Sequence, residues 1–318
     1  MTGDDTTRTR AGRRRPRRLL VGDRVALVAP ASPVRAEDLE RGADELRALG
    51  FVPVYDQRVL ARHGYVAGLP QMRVSALADA WRDPTVRGLV AVRGGYGSQQ
   101  LLPLLDPRWL ADDPKVFLGY SDLTAILAWH TMHGAVAFHG PMAEGRLALG
   151  TVGYDRASLL AAIAQPVAMG TLAPPGLETF RPGEASGVLV GGTLTQLAAL
   201  LGTPYALVPR EPSILFLEDV GERPYRIDRL ITQLHQAGTF RRVTGVVLGA
   251  FPGCDEAGGG PTARAVLRDL FAHFPGPVVF GMPSGHGSRP TLTLPVGVDA
   301  RLTTQPAPAL SIEEAAVC

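Results

Sequence analysis

Lys115-Val-Phe-Leu-Gly-Tyr-Ser-Asp-Leu-Thr124 is the stretch whose reading decides the fold. It predicts a buried strand over 116–119 that turns at Gly119-Tyr-Ser-Asp122 into a helix over 122–133. A strand feeding a helix in this way is the repeating step of an open, mostly parallel α/β sheet. The same turn would lift the Ser121 hydroxyl above the sheet edge, with the free N–H groups of the new helix beside it to receive an oxyanion. This is the arrangement of a nucleophile elbow, although Leu123 stands where a second glycine is usual. The same residues also suit a Ser121 that simply caps the helix ahead of Asp122.

Working outward, apolar runs of strand length alternate with amphipathic stretches of helix length. Strands are expected at 24–29, 51–55 and 88–92. Helices are expected at 37–49, where Leu39, Ala43, Leu46 and Leu49 recur at helical spacing before Gly50, and at 72–82 and 99–105. These make a Rossmann-like N-terminal domain over 19–142. Residues 143–186 hold one expected helix at 155–164 and then the Pro-rich stretch 173–183, which reads as an inter-domain linker. A C-terminal domain over 187–318 follows, with strands at 187–190, 214–218 and 245–248, helices at 193–201, 225–236 and 264–274, and paired strands between 291 and 312. A chain of 318 residues is long enough for two such units.

Bulk composition narrows the class further. The formal charge is +2, yet Arg8, Arg10, Arg13, Arg14, Arg15, Arg17 and Arg18 against Asp4 and Asp5 make the first 18 residues +5 and the remaining 300 residues −3. A mildly acidic body argues against a nucleic-acid-binding fold. The tail over 1–18 reads as a solvated, disordered leader that catalysis does not need. Its paired arginines evoke an export signal, but Asp23 and Arg24 interrupt the apolar segment such a signal requires. No membrane span is expected. Cys254 and Cys318 stand far apart with no metal-type spacing, so neither a disulfide framework, a metal site nor another cofactor is indicated. The default is a cytoplasmic enzyme.

Three further segments carry chemistry. In Val90-Ala-Val-Arg-Gly-Gly-Tyr-Gly-Ser98, Gly94, Gly95 and Gly97 fall at the carboxyl end of a strand, where open α/β sheets bind ligands and where a bare backbone N–H can approach one. A dinucleotide reading competes, but Gln100 stands where a third glycine is needed. Glu218 closes the strand Ile214-Leu-Phe-Leu-Glu218, where a carboxylate could hold an imidazole in one tautomer. His286 lies in the Gly- and Pro-punctuated loop Phe280-Gly-Met-Pro-Ser-Gly-His-Gly-Ser288. His139, before Gly140-Pro141, is a rival base, and Asp219 and Glu222 are rival orienters.

Together these residues resemble the LD-carboxypeptidases, the serine peptidase group that also contains the microcin C self-immunity hydrolases. The resemblance is carried by Val25-Ala-Leu-Val-Ala-Pro-Ala-Ser-Pro33, Arg93-Gly-Gly-Tyr-Gly97, Gly119-Tyr-Ser-Asp122, Phe138-His-Gly-Pro141, Gly191-Gly-Thr-Leu194, Leu217-Glu-Asp-Val-Gly-Glu222, and Gly285-His286 followed by Thr293-Leu-Pro-Val-Gly297. These seven segments occur in the family's order. The resemblance implies a Rossmann-like domain with the serine and a smaller, swivelling, β-barrel-like C-terminal domain with the glutamate and histidine. It maps nucleophile, relay acid and base to Ser121, Glu218 and His286, and the oxyanion hole to the backbone N–H groups of Gly95 and Asp122. His139 becomes a pocket or structural residue. It further implies a homodimer that works without a metal.

The activity implied is removal of the terminal D-alanine from a muropeptide tetrapeptide at its L,D bond, in peptidoglycan recycling. The alternative is an immunity-type hydrolysis of peptidyl- or aminoacyl-nucleotides. That chemistry stacks the base on aromatic residues of an added loop, and 143–186 offers only Tyr154 and Phe180. A non-catalytic binding protein is a third reading, weakened by retention of all three relay residues. Arg93 and Arg289 could each pair with the substrate carboxylate through a bidentate guanidinium contact, or could be solvent-facing loop charges.

Overall fold

In a computed structural model that describes residues 7–287 and 290–318, two sheets share the chain. The first is built from β1 (Arg24–Val28), β2 (Val52–Val54), β3 (Val86–Ala91), β4 (Val116–Gly119) and β5 (Ala137–His139). The second takes β6 (Gly170–Leu172), β7 (Glu178–Arg181), β8 (Glu184–Thr193), β9 (Ser213–Glu218), β10 (Val243–Gly249) and β11 (Val278–Met282). β12 (Leu294–Val296) returns to the first sheet, and β13 (Asp299–Thr303) and β14 (Ala309–Ile312) complete the second. The orders are β12-β5-β4-β3-β1-β2 and β6-β14-β13-β8-β9-β10-β11-β7. All neighbours from β5 to β2 pair in parallel, as do β8 to β11. The edges are antiparallel.

The helices are α1 (Ala36–Ala48), α2 (Pro70–Arg82), α3 (Arg108–Asp112), α4 (Thr124–Met132), α5 (Arg156–Ala164), α6 (Leu194–Ala199), α7 (Pro224–Gln236) and α8 (Ala263–Leu270). α1 shows why the local reading succeeds. Leu39, Ala43 and Leu46 are buried at helical spacing, Glu37 and Asp38 face the positive end of the helix dipole, and Arg47 faces the negative end. Gly50, at φ +90°, takes the left-handed turn that stops it. The central strands read as unbroken apolar runs because they are covered on both faces. Every residue of β4 and of β9 is buried.

Four expectations change. The expected helix over 99–105 is a 3-10 turn over Ser98–Leu104, with Pro103 inside it, since proline cannot donate the backbone bond an α-helix needs there. The helix after Ser121 opens with a 3-10 turn, Ser121–Leu123, and becomes α4 at Thr124. The segment 143–186 is folded rather than a plain linker. It carries a 3-10 turn over Leu147–Val152, then α5, β6, β7 and the start of β8. Fully buried Tyr154 donates its hydroxyl to Glu45 at 2.5 Å, and Arg156 pairs with the same carboxylate at 2.7 Å. Its edge strands are too short for alternation to reveal them.

The described part of the basic leader, 7–18, is also packed on the body rather than solvated. The Arg14 N–H donates to Gly134 O at 2.8 Å, and the Val136 N–H donates back to Arg14 O at 3.0 Å. Arg13 pairs with Glu211, and Arg15 with Glu314 at 2.9 Å. The Arg18 N–H donates to Cys318 O at 2.9 Å, while the Cys318 N–H donates to Pro16 O at 3.0 Å. Arg13 and Arg15, which read locally as surplus charge, thus meet acids some two or three hundred residues away. The described leader thus ties Gly134–Val136 beside β5 to acids on the second sheet's side of the molecule.

Candidate active site

The site forms where the carboxyl ends of β4 and β9 meet. β4 ends in Gly119, Tyr120 is extended, and Ser121 takes φ +63°, the sole positive φ among the described non-glycine residues. A left-handed serine is strained by about 1–2 kcal/mol, and burial of Val116, Phe117 and Leu118 behind it holds the chain in place. This explains the absent second glycine. Close packing is provided at Gly119, where an added Cβ would lie 3.1 Å from Leu123, so Leu123 seals the turn against the strand. The strained backbone favours the elbow reading of Ser121 over the cap reading, since a capping residue has ordinary extended φ/ψ.

From the second sheet, Glu218 and His286 meet this serine. His286 Nε2 lies 3.0 Å from Ser121 Oγ, and His286 Nδ1 lies 2.8 Å from Glu218 Oε2. The His286 backbone N–H donates to the same Oε2 at 2.9 Å, and the Thr193 hydroxyl donates to Oε1. Burial alone would push the Glu218 carboxyl up. The hydrogen bond and charge of His286, with smaller contributions from His139 and Thr193, outweigh it and hold the group below the ordinary carboxylate range. Glu218 is therefore an anion in the dry interior, directed at one imidazole. Asp219 is committed elsewhere, accepting from the Thr195 N–H and hydroxyl at 2.8 and 2.6 Å, and Glu222 faces Arg226 at 3.6 Å.

Glycines make the approach possible. Gly285, at φ +81°, lets the histidine loop close over the carboxylate, because an added Cβ would lie 2.5 Å from Glu218 Cδ and Oε2. Gly192 admits Thr124, whose hydroxyl accepts the Thr193 N–H at 3.0 Å and so fastens α4 to β8. Gly94 abuts Ser121, since an added Cβ would lie 2.9 Å from Ser121 Cβ. Gly95, at φ +95°, is held against Ser32. The Ser32 hydroxyl accepts the Tyr96 N–H at 3.0 Å and donates to Tyr65 O at 2.8 Å. Asp122 locks the same loop from the other side. Its carboxylate accepts the Ser98 N–H at 2.8 Å and its carbonyl accepts the Ser98 hydroxyl at 2.5 Å, with burial raising its pKa.

The remaining candidates separate clearly. Arg93 is 44% exposed beside the glycine loop, 3.6 Å from Glu144 and donating to Pro33 O at 3.2 Å. Arg289 lies outside the described residues. His139 is 0% exposed and lies behind Glu218, 4.0 Å from its Oε1, whereas it is His286 that meets Ser121. Sequence reasoning missed Arg146, which is buried and donates to Gly285 O at 2.7 Å and Gly287 O at 3.0 Å, bracing both sides of His286. It also gave no role to Ser32 or Thr193, although both stand in quoted segments. Among the described residues no cluster of three or more His, Cys, Asp or Glu is placed to hold a metal, and no helix is long and apolar enough to cross a membrane.

A serine, imidazole and buried carboxylate stand in hydrogen-bond sequence beside a glycine loop at the carboxyl ends of the strands, an arrangement whose geometry is suited to hydrolytic chemistry. Comparison with known proteins gives the family. Residues 25–140 match the LD-carboxypeptidase N-terminal domain and residues 186–302 the LD-carboxypeptidase C-terminal domain; the chain belongs to the LD-carboxypeptidase family, a family of peptidases. It is 33% identical over 283 residues to the murein tetrapeptide carboxypeptidase of Pseudomonas aeruginosa, covering 85% of this chain and 90% of that protein. The crystal structure of muramoyltetrapeptide carboxypeptidase from Oxalobacter formigenes superposes with a TM-score of 0.80 at 31% identity, over 92% of this chain and 99% of that one. The fold is also that of the microcin C7 self-immunity protein MccF in complex with glutamyl sulfamoyl guanosine, with a TM-score of 0.85 at 22% identity, covering 96% and 99%.

Proposed function

We propose that this chain is a serine carboxypeptidase that hydrolyses the L,D peptide bond before the terminal D-alanine of a muropeptide tetrapeptide. The observation that carries the reading is the unbroken chain from Ser121 Oγ through His286 to Glu218. His286 Nε2 takes the hydroxyl proton as Ser121 attacks the scissile carbonyl. The tetrahedral intermediate then collapses as His286 returns that proton to the leaving amine, which departs as D-alanine. Water repeats the sequence on the acyl-enzyme. The Gly95 and Asp122 backbone N–H groups serve the developing oxyanion, where one such donor is commonly worth about 2.7–4 kcal/mol. Glu218 keeps the imidazole in the productive tautomer and stabilises its protonated form.

Substrate choice rests on what surrounds this chemistry. The relatives named above that share about a third of their residues carry murein tetrapeptide names. The two aromatics of segment 143–186 are both committed to other contacts. Tyr154 is buried against Glu45, and Phe180 stacks on Phe280 at 5.0 Å with Arg268 over its ring. Arg93 supplies a guanidinium beside the glycine loop for the substrate carboxylate. The reading places the enzyme in the cytoplasm, as a homodimer active without a metal. Chromatography of products tests it: D-alanine should be released from the tetrapeptide, the pentapeptide left intact, and a chelator should have no effect. Intact-mass analysis should trap an acyl adduct on Ser121. Cleavage of a D,D bond, chelator inhibition or exclusive turnover of aminoacyl-nucleotides would overturn it.

A further inference from the structure

Behind Glu218, two buried side chains that the proposed reaction does not use, Ser284 and His139, form a line leading to its carboxylate. Ser284 donates its hydroxyl to Leu292 O at 2.9 Å. Its only hydroxyl proton being spent there, it can face His139 Nδ1, 3.0 Å away, only as an acceptor. The His139 proton therefore sits on Nδ1. That leaves Nε2 bare, without a hydrogen-bond partner, facing Glu218 Oε1 at 4.0 Å. The ring is fixed by Phe216 and Tyr120, at centroid distances of 5.1 and 5.9 Å.

We infer that His139 is a positioning residue whose tautomer, set by Ser284, withholds a hydrogen bond from Glu218 and so leaves the carboxylate free to serve His286. This deepens the reading of Glu218 and His286 as a relay and rests on it. The physical reason is competition for one anion. Oε2 accepts two bonds from His286, and Oε1 accepts one from Thr193. A further N–H donor on Oε1 would draw charge away from Oε2 and weaken the support given to the imidazolium formed in the transition state. The opposite tautomer would supply that donor with a shift of about 1 Å, to reach ordinary hydrogen-bond length. Burial also keeps His139 from becoming a cation beside Glu218 and His286, pushing its pKa down to about 4.

Proton-detected nitrogen NMR of the wild-type enzyme tests the tautomer directly, with His139 Nε2 expected bare and Nδ1 protonated. Ser284→Ala removes the acceptor, so the proton should move to Nε2. The acid limb of the kcat/KM profile should then move to lower pH by about half a unit, and kcat should fall about tenfold. His139→Gln, which brings an amide donor, should act in the same direction, and Ser284→Thr, which keeps the hydroxyl, should restore the wild-type limb. A proton on Nε2 in the wild type overturns the inference, even if the variants fail to fold. So does a Ser284→Ala enzyme that loses activity with an unmoved acid limb, which would mean packing alone. Either result leaves the relay standing, whereas an active Ser121→Ala enzyme would remove the relay itself.

Discussion

Gly285→Ala isolates how closely the histidine loop must approach Glu218, the carboxylate of the proposed relay. The new methyl would lie 2.5 Å from Glu218 Cδ and Oε2, about 1 Å inside ordinary van der Waals contact. Neither side can yield easily. Glu218 is held by Thr193 and by two bonds from His286, and the loop is held by Arg146 on Gly285 O and Gly287 O. Displacement by about 1 Å at reacting groups costs on the order of a hundredfold in rate, so kcat should fall by about that factor or more. The φ of +81° adds about 1–2 kcal/mol of backbone strain. Overpacking adds about 1–3 kcal/mol, and together these lower Tm by about 4–20 °C at about 2–4 °C per kcal/mol. Gly202→Ala is the control, since Gly202 has φ +79° with nothing within 4 Å of the added Cβ. It should show only the backbone part and normal turnover. D-alanine release and thermal unfolding, measured on both variants, decide the matter. Gly285→Ala with turnover within threefold of Gly202→Ala would refute the close-approach argument.

Ser121→Ala and Ser121→Gly should both lose turnover, but the glycine variant should be about 1 kcal/mol the more stable because it relieves the φ of +63°; equal unfolding midpoints would count against stored strain at the elbow. His130 is fully buried and burial lowers its pKa to about 4. The unfolded chain binds its proton below about 6.5 and the folded chain only below about 4, so its stabilisation is complete above pH 6.5 and fades as pH falls, by about 2 kcal/mol at pH 5. His130→Phe should accordingly flatten the stability profile between pH 6.5 and 5, and an unchanged slope would show that this ring is not the source. Removal of residues 1–18 should lower Tm by several degrees, because it strips the pairings on Glu211 and Glu314 and the backbone bonds to Gly134, Val136 and Cys318; an unshifted midpoint would mean that the leader adds no stability.

Sequence alone determined the elements whose signals are local. The strand 116–119 and the amphipathic α1 and α7 follow from apolar spacing within a dozen residues, and Ser121, Glu218 and His286 each stand in short segments whose residue types carry their own chemistry. What it could not supply was distance. Three features depended on partners far along the chain: the burial of His139, the return of β12 to β5, and the seating of arginines 13–15 on the body. Hydrophobic period reports which face of an element is covered, never by what. Only the tertiary fold decided that Glu218 rather than Asp219 meets His286, because the choice turns on Thr195 claiming the one carboxylate and on Gly285 admitting the loop to the other. Contacts of that kind are set by backbone approach to within a few tenths of an ångström, which no one-dimensional pattern records.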